Sequence, residues 1–246
     1  MDLLAEYPIN DVGRDFAVGD IHGHFGALLQ GLRAMGFDAR RDRLFSVGDL
    51  IDRGPDSAQV LNWLGKPWFH AIRGNHEAMA IAAVQGGAED ALFHARHGGA
   101  WLQALPLAQR QQVAERLQAL PLALEVATHA GPVALVHADL PSDDWPAFAD
   151  DLRNRSLSRH DEMTCLWSTA RHAHRYAAPV RQLRALVHGH LTVPQMETLG
   201  NVHYIDTHHS LLPASEAGHF TFLDLATLTA HAGPGGNWRK IPARYR

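Results

Sequence analysis

The sequence predicts an α/β fold. Three observations predict it: short apolar runs alternate with amphipathic stretches through the first third, each run stops at a Gly, Asp or Asn turn, and strand-like runs return late in the chain. Residues 16–18, 44–47 and 68–72 are the strand candidates, and 25–35, 57–64 and 77–84 the helices that follow them in a βαβ series. The glycine-rich stretch 85–99 reads as a loop. Residues 107–120 read as an amphipathic helix charged along one face. Residues 122–128 and 133–136 flank His129-Ala-Gly-Pro132 as a hairpin. The polar segment 142–179 predicts one or two helices, and strands return at 186–187, 202–205 and 220–225. The tail 237–246, with Arg239, Lys240, Arg244 and Arg246, reads as a solvated end.

At 246 residues the chain sits near the upper size for one hydrophobic core, and it carries no internal repeat or shift in composition. One catalytic domain over residues 1–246 is the expectation. A hydrophobic content of 46% with 20% charged residues excludes a disordered or fibrous chain. A net charge of −4 provides no field for nucleic acid or an anionic membrane, so any phosphate must be bound locally. No apolar run approaches the roughly 20 residues of a membrane span, and residues 1–14 do not resemble a signal peptide. The lone cysteine, Cys165, fits a reducing cytoplasm. Histidine is abundant at 18, too many for one site to use.

Three loops at the ends of the first three predicted strands carry the chemistry. They read Gly19-Asp20-Ile21-His22-Gly23, Gly48-Asp49-Leu50-Ile51-Asp52-Arg53-Gly54 and Gly74-Asn75-His76-Glu77. Ligands of open α/β folds gather where such strands end. Asp20, His22 and Asp49 can converge there on one cation. Carboxylate with imidazole suits manganese, iron or zinc better than calcium. Asp49 has two oxygens and can bridge to a second ion, for which Asn75, His137 and either histidine of His188-Gly-His190 are available after further apolar runs. Each motif alone is ordinary: Asp-Arg-Gly is a common turn, and Asn-His can simply open a helix. Their joint occurrence after successive strands is what points to a site.

Together these motifs resemble the metal-dependent phosphoprotein phosphatases of the calcineurin-like metallophosphoesterases, in particular the bacterial and lambda-phage branch. Trp68-Phe69, His137-Ala-Asp-Leu-Pro141 and Tyr204-Ile-Asp-Thr207 extend the resemblance from about residue 16 to 225. It implies a β-sandwich flanked by helices, with two divalent ions, manganese foremost and iron or zinc as alternatives, at the carboxyl ends of strands. Asp20, His22 and Asp49 match the ligands of the first ion, and Asp49, Asn75, His137 and His190 those of the second. His190 rather than His188 follows the glycine, as the family ligand does. A hydroxide shared between the ions is the implied nucleophile. His76 matches the general acid, Asp52 the residue that orients it, and Arg53 a phosphate clamp. The implied substrate is a phosphorylated protein or peptide, on serine or threonine and by extension tyrosine or histidine.

The sequence also departs from that pattern. Trp167-Ser-Thr169 places threonine where lambda-type relatives carry a second phosphate-binding arginine, and Arg171 is the nearest replacement. His208-His209 stands in place of Gly-Ala after Thr207, and His24 in place of a cysteine. Cys165 and Arg171 share the C-x5-R spacing of cysteine-dependent tyrosine phosphatases, but Leu-Trp-Ser-Thr-Ala between them lacks the glycine such a loop needs. Two other functions compete: symmetrical dinucleoside tetraphosphate hydrolysis by the same metal chemistry, and a catalytically silent metal-binding scaffold.

Overall fold

The computed structural model describes residues 2–212, 216–232 and 239–241. Its strands form two six-stranded sheets. One sheet has the order β12-β11-β10-β2-β3-β4, built from β2 (Asp15–Val18), β3 (Arg43–Ser46), β4 (Phe69–Ala71), β10 (Phe222–Asp224), β11 (Thr229–Ala232) and β12 (Arg239–Ile241). Within it β2, β3 and β4 run parallel and β10 antiparallel to β2. The second sheet has the order β1-β5-β6-β7-β9-β8, from β1 (Leu4–Tyr7), β5 (Ala123–Val126), β6 (Val133–Val136), β7 (Ala185–His188), β8 (Glu197–Leu199) and β9 (Val202–Tyr204). Here β6, β7 and β9 are parallel.

The central strands β2, β6 and β7 are buried at every position because both faces of each sheet are covered there. On β2 and β3, Ala17 and Phe45 face the other sheet and meet Leu135 and Val187 in an inner layer, while Phe16, Val18 and Leu44 face outward. Phe25, Leu28 and Leu32 of α1 (Phe25–Ala34), Val60 and Trp63 of α2 (Val60–Leu64), and Val113 and Leu117 of a later helix cover that outer face. The architecture is the β-sandwich flanked by helices that the resemblance implied.

Four readings change. Residues 85–99 are not a loop: α3 (Asn75–Gln85) is followed by α4 (Ala88–His94), a wide turn over Ala95–Gly99 and α5 (Ala100–Gln103). Asp90 caps α4 by accepting the Gly87 N–H at 3.0 Å, and Glu89 adds a second acid to its first turn. Leu92 and Phe93 stay exposed, so periodicity could not reveal this helix. After α6 (Leu107–Gln118), the segment 142–179 holds three helices: α7 (Trp145–Asn154), α8 (Arg159–Trp167) and α9 (Ala170–Ala173). Asp144 and Ser158 cap the first two through the N–H of Ala147 and Asp161. The short strands β1 and β8 lie where none was expected, each formed by pairing with a neighbour. Arg239 and Lys240 belong to a strand, β12, paired to β11, and Arg244 and Arg246 lie outside the described residues. Among the described residues no helix is long and apolar enough to cross a membrane.

Candidate active site

Because β2, β3 and β4 are parallel, their following loops emerge side by side, and β6 and β7 deliver His137 and His190 from the facing sheet. The loops are tied to one another. The N–H groups of Ile21 and His22 donate to Asp49 O at 3.0 and 2.8 Å, and Gly189 N–H donates to His137 O at 2.9 Å. The buried Glu77 carboxylate accepts the N–H groups of Asp49, Leu50 and Gly74, each at 2.8 Å. Nine non-glycine residues among those described have positive φ, and five of them, His22, Asp49, Asp52, Arg53 and His190, lie here. Such backbone costs of order 1–3 kcal/mol per residue and persists where surrounding structure imposes it.

The orientation of the imidazoles decides what the cluster can hold. His22 Nδ1–H donates to Ile51 O at 3.0 Å and His137 Nδ1–H to Val47 O at 2.8 Å, so each turns a bare Nε2 inward. His190 is held the other way round, with Nε2–H donating to Trp167 O at 3.2 Å and Nδ1 facing inward. Asp49 lies between them, 3.6 Å from His22 Nε2 and 3.5 Å from His137 Nε2. The Asn75 amide oxygen stands 2.9 Å from His137 Nε2 and 3.2 Å from His190 Nδ1. Lone pairs thus face lone pairs. Turning the amide end for end would let its NH2 donate to Asp49 and both imidazoles. A cation among these atoms satisfies the oxygen where it stands, together with the lone pairs around it.

The electrostatics agree. Burial pushes His22 down to about 3 and His190 to about 4, leaving the neutral imidazoles that ligation requires. Burial opposes ionisation of Asp49, but His137, His76 and His22 outweigh it and hold this carboxyl below its usual range. Burial, Asp206 and Asp49 raise Asp20, and burial with Asp49 raises Asp206 to about 7. Positive charge is what three crowded carboxylates lack. Two groups of ligand atoms, His22 with Asp49 and His76, and Asp49 with His137 and His190, each fall within 4.8 Å.

Three residues beyond Asp49, the surroundings reverse. Asp52 is buried among donors: His76 Nδ1–H at 2.7 Å, His94 Nε2–H at 2.9 Å and Trp101 Nε1–H at 2.7 Å. Burial would raise this carboxyl, but the bonds from His76 and His94 outweigh it and lower it. Burial likewise lowers His76, but Asp49 and Asp52 prevail and raise it, favouring a proton on that ring. The Arg53 guanidinium donates to the Nε2 atoms of His22 and His76, at 2.8 and 3.0 Å, and to Ser210 Oγ at 3.2 Å.

The family model for calcineurin-like phosphoesterases matches residues 16–194, the span that carries the sequence-predicted ligands together with Asp52, Arg53 and His76. The chain belongs to that family. It is therefore a metallophosphoesterase, a hydrolase whose family uses divalent metals. Serine/threonine-protein phosphatase 2 of Escherichia coli is 33% identical over 198 residues, 78% of this chain and 86% of that protein. Serine/threonine-protein phosphatase 1 of Salmonella typhimurium is 36% identical over 195 residues, 78% and 85% of the two chains. A symmetrical bis(5'-nucleosyl)-tetraphosphatase of Acidovorax sp. is 36% identical over 127 residues, 50% of this chain and 43% of that one. Among solved structures, a protein provisionally named a diadenosine tetraphosphatase superposes with a TM-score of 0.60 at 23% identity, covering 99% of both chains, a likeness of fold.

In this calcineurin-like phosphoesterase the structure gathers Asp20, His22, Asp49, Asn75, His137 and His190 with His76, Asp52 and Arg53. Asp20 is turned to the His190 N–H, at 3.1 Å from both oxygens, and lies 4.0 Å from His22 Nε2. Arg171 is not gathered. Its guanidinium pairs with Asp143 and donates to the carbonyls of Tyr176 and Ala178 at 3.3 and 2.9 Å. Cys165 is buried and burial pushes its thiol up, the reverse of an activated nucleophile. His188 donates to Val136 O at 2.7 Å beneath the site, and His208 stacks on Phe220 with ring centroids 4.5 Å apart. The sequence reading does not find His94, which lies in the stretch that reads as a loop, or Trp101, which lies just beyond it.

Proposed function

We propose that this protein hydrolyses phosphomonoesters on serine and threonine side chains of phosphorylated proteins, using two divalent cations. The observation that carries the reading is the adjacency, within one loop, of a carboxylate facing ligand lone pairs and a carboxylate holding a histidine acid. Asp20, His22 and Asp49 would hold one cation, and Asp49, Asn75, His137 and His190 the other. When bound, the pair supplies a nucleophilic water and positive charge for the phosphate oxygens, a role that manganese, iron or zinc can fill.

The protein's own groups do the rest. Arg53 exchanges the imidazole nitrogens of His22 and His76 for phosphate oxygens, which its planar fork binds in pairs. As the phosphorus–oxygen bond breaks, the leaving alkoxide takes the proton from His76 Nε2. Asp52 keeps the Nδ1 proton in place and stabilises the charged ring.

A phosphoanhydride is the second substrate to consider, favoured by relatives named symmetrical tetraphosphatases that align over about half of the chain. Phosphoserine is preferred for two reasons. The relatives named serine/threonine-protein phosphatases align over 78% of the chain or more. A serine alkoxide needs a proton to leave, whereas a nucleotide phosphate leaves without one, and this site has built an acid. Purified protein stripped of metal and reloaded with manganese is expected to release phosphate from a phosphoserine peptide. Activity should vanish with chelator, and His76→Asn should lower it by roughly 10²–10⁴-fold. Turnover of diadenosine tetraphosphate alone would replace this reading with the second. Metal binding without turnover of either would leave the silent scaffold.

A further inference from the structure

Orienting one histidine takes one hydrogen bond, yet Asp52 receives three. His94 Nε2 lies 3.0 Å from Asp52 Oδ1 and 2.9 Å from Oδ2, Trp101 Nε1–H donates to Oδ1 at 2.7 Å, and His76 is left with Oδ2 at 2.7 Å. The rotation of a carboxylate about its last bond is otherwise soft. Two donors on one side and across the fork remove that freedom. Asp52 and His94 are fully buried and His76 nearly so, so water does not compete for these bonds.

The backbone between the two donors is shaped for this contact. After His94 the chain turns through Gly98, at φ +101°, and returns Trp101 to the same carboxylate. A Cβ on Gly99 would come within 2.2 Å of His94 Nε2, and one on Gly98 within 2.6 Å of Arg53 N. Gly98 O also accepts the Arg53 N–H at 3.3 Å. One turn therefore backs both the clamp on Asp52 and the main chain of the phosphate-facing arginine. His94 Nδ1 has no partner, so the ring's polar contact is made through Nε2 to Asp52 alone.

We propose that His94, seconded by Trp101, is a positioning residue that locks the Asp52 carboxylate so that His76 keeps its proton on Nδ1 and aims Nε2 at the leaving oxygen. The proposal rests on the reading of His76 as the general acid. A ring that merely fills the core is the rival, and His94→Phe preserves that filling while removing the donor. In the manganese-loaded protein, His94→Phe should lower kcat on phenyl phosphate by about 10–100-fold, the usual cost of losing an outer partner. KM should hold. On 2,4-dinitrophenyl phosphate, whose leaving oxygen needs no proton, the loss should be no more than about 3-fold. His94→Gln, which keeps a donor, should recover part of the difference. Equal losses on both esters, or none on either, would overturn the clamp.

A second readout needs no turnover. In the metal-free protein, at a pH high enough to leave the His76 ring neutral, imidazole nitrogen shifts should report its remaining proton on Nδ1, and His94→Phe should introduce the Nε2–H form. Retention of the pure Nδ1–H form in that variant overturns the proposal even if the wild type hydrolyses no phosphate ester. Inactivity of the wild type would instead defeat the acid role of His76.

Discussion

Asp49 and Asp52 lie three residues apart in one loop, both buried and both at positive φ, yet their surroundings are opposite. Around Asp49 the imidazoles of His22 and His137 present bare nitrogens, because their protons are committed to the carbonyls of Ile51 and Val47. Around Asp52 every neighbour presents N–H. The first carboxylate is incomplete without a cation, and the second is complete without one. Around Asp49 a backbone oxygen behind each ring takes the N–H, a partner as consequential as the ligand itself, whereas no such oxygen draws the N–H of His76 or His94 away from Asp52.

Replacing each carboxylate by its amide is the strongest way to break the comparison. Asp49→Asn should remove at least one bound ion per chain by metal analysis and lose more activity than the roughly 10²–10⁴-fold attached to a general acid. Asp52→Asn should keep its ions and lose activity within that range. Equal metal content in the two variants would erase the distinction between them. A smaller effect is expected at Arg53, which joins the two halves by touching His22 and His76. Charge-assisted hydrogen bonds contribute about 1.5–3 kcal/mol, so Arg53→Ala should weaken phosphate inhibition and raise KM by about 10–150-fold. The smallest functional effect belongs to Arg171, whose bonds run to Asp143 and to two carbonyls away from both carboxylates. Arg171→Ala should leave KM near its wild-type value while lowering the melting temperature. A KM raised as far as in Arg53→Ala would put this arginine on the phosphate after all.

The strands and helices of the sandwich show the same division between local and distant causes. Phe16, Phe45 and Val187 declare themselves by sitting in short apolar runs, and each becomes a strand buried on both faces. The strands β1 and β8 have no such run and exist because β5 and β9 offer an edge to pair with. Helix α4 escaped notice because its apolar Leu92 and Phe93 face outward and its start depends on the Asp90 cap. His94 was hidden with it, and Trp101 lies just past the same stretch. The signal available was the Gly98-Gly99 pair read as a chain reversal rather than a loop, with a histidine before it and a tryptophan after it.

By itself the sequence determined the α/β class, the three loops that carry Asp20, His22, Asp49, Asp52, Arg53, Asn75 and His76, and the candidacy of His137 and His190. These are legible because strands announce themselves by apolar runs and the chemistry lies directly where the runs stop. Only the tertiary structure decided that Arg171 turns to Asp143, that His188 lies beneath the site, and that His94 and Trp101 close on Asp52. Those outcomes depend on which atoms the packed sheets and turns bring within about 3 Å of one another. Residue type and spacing along the chain do not encode that distance; closure of the fold does.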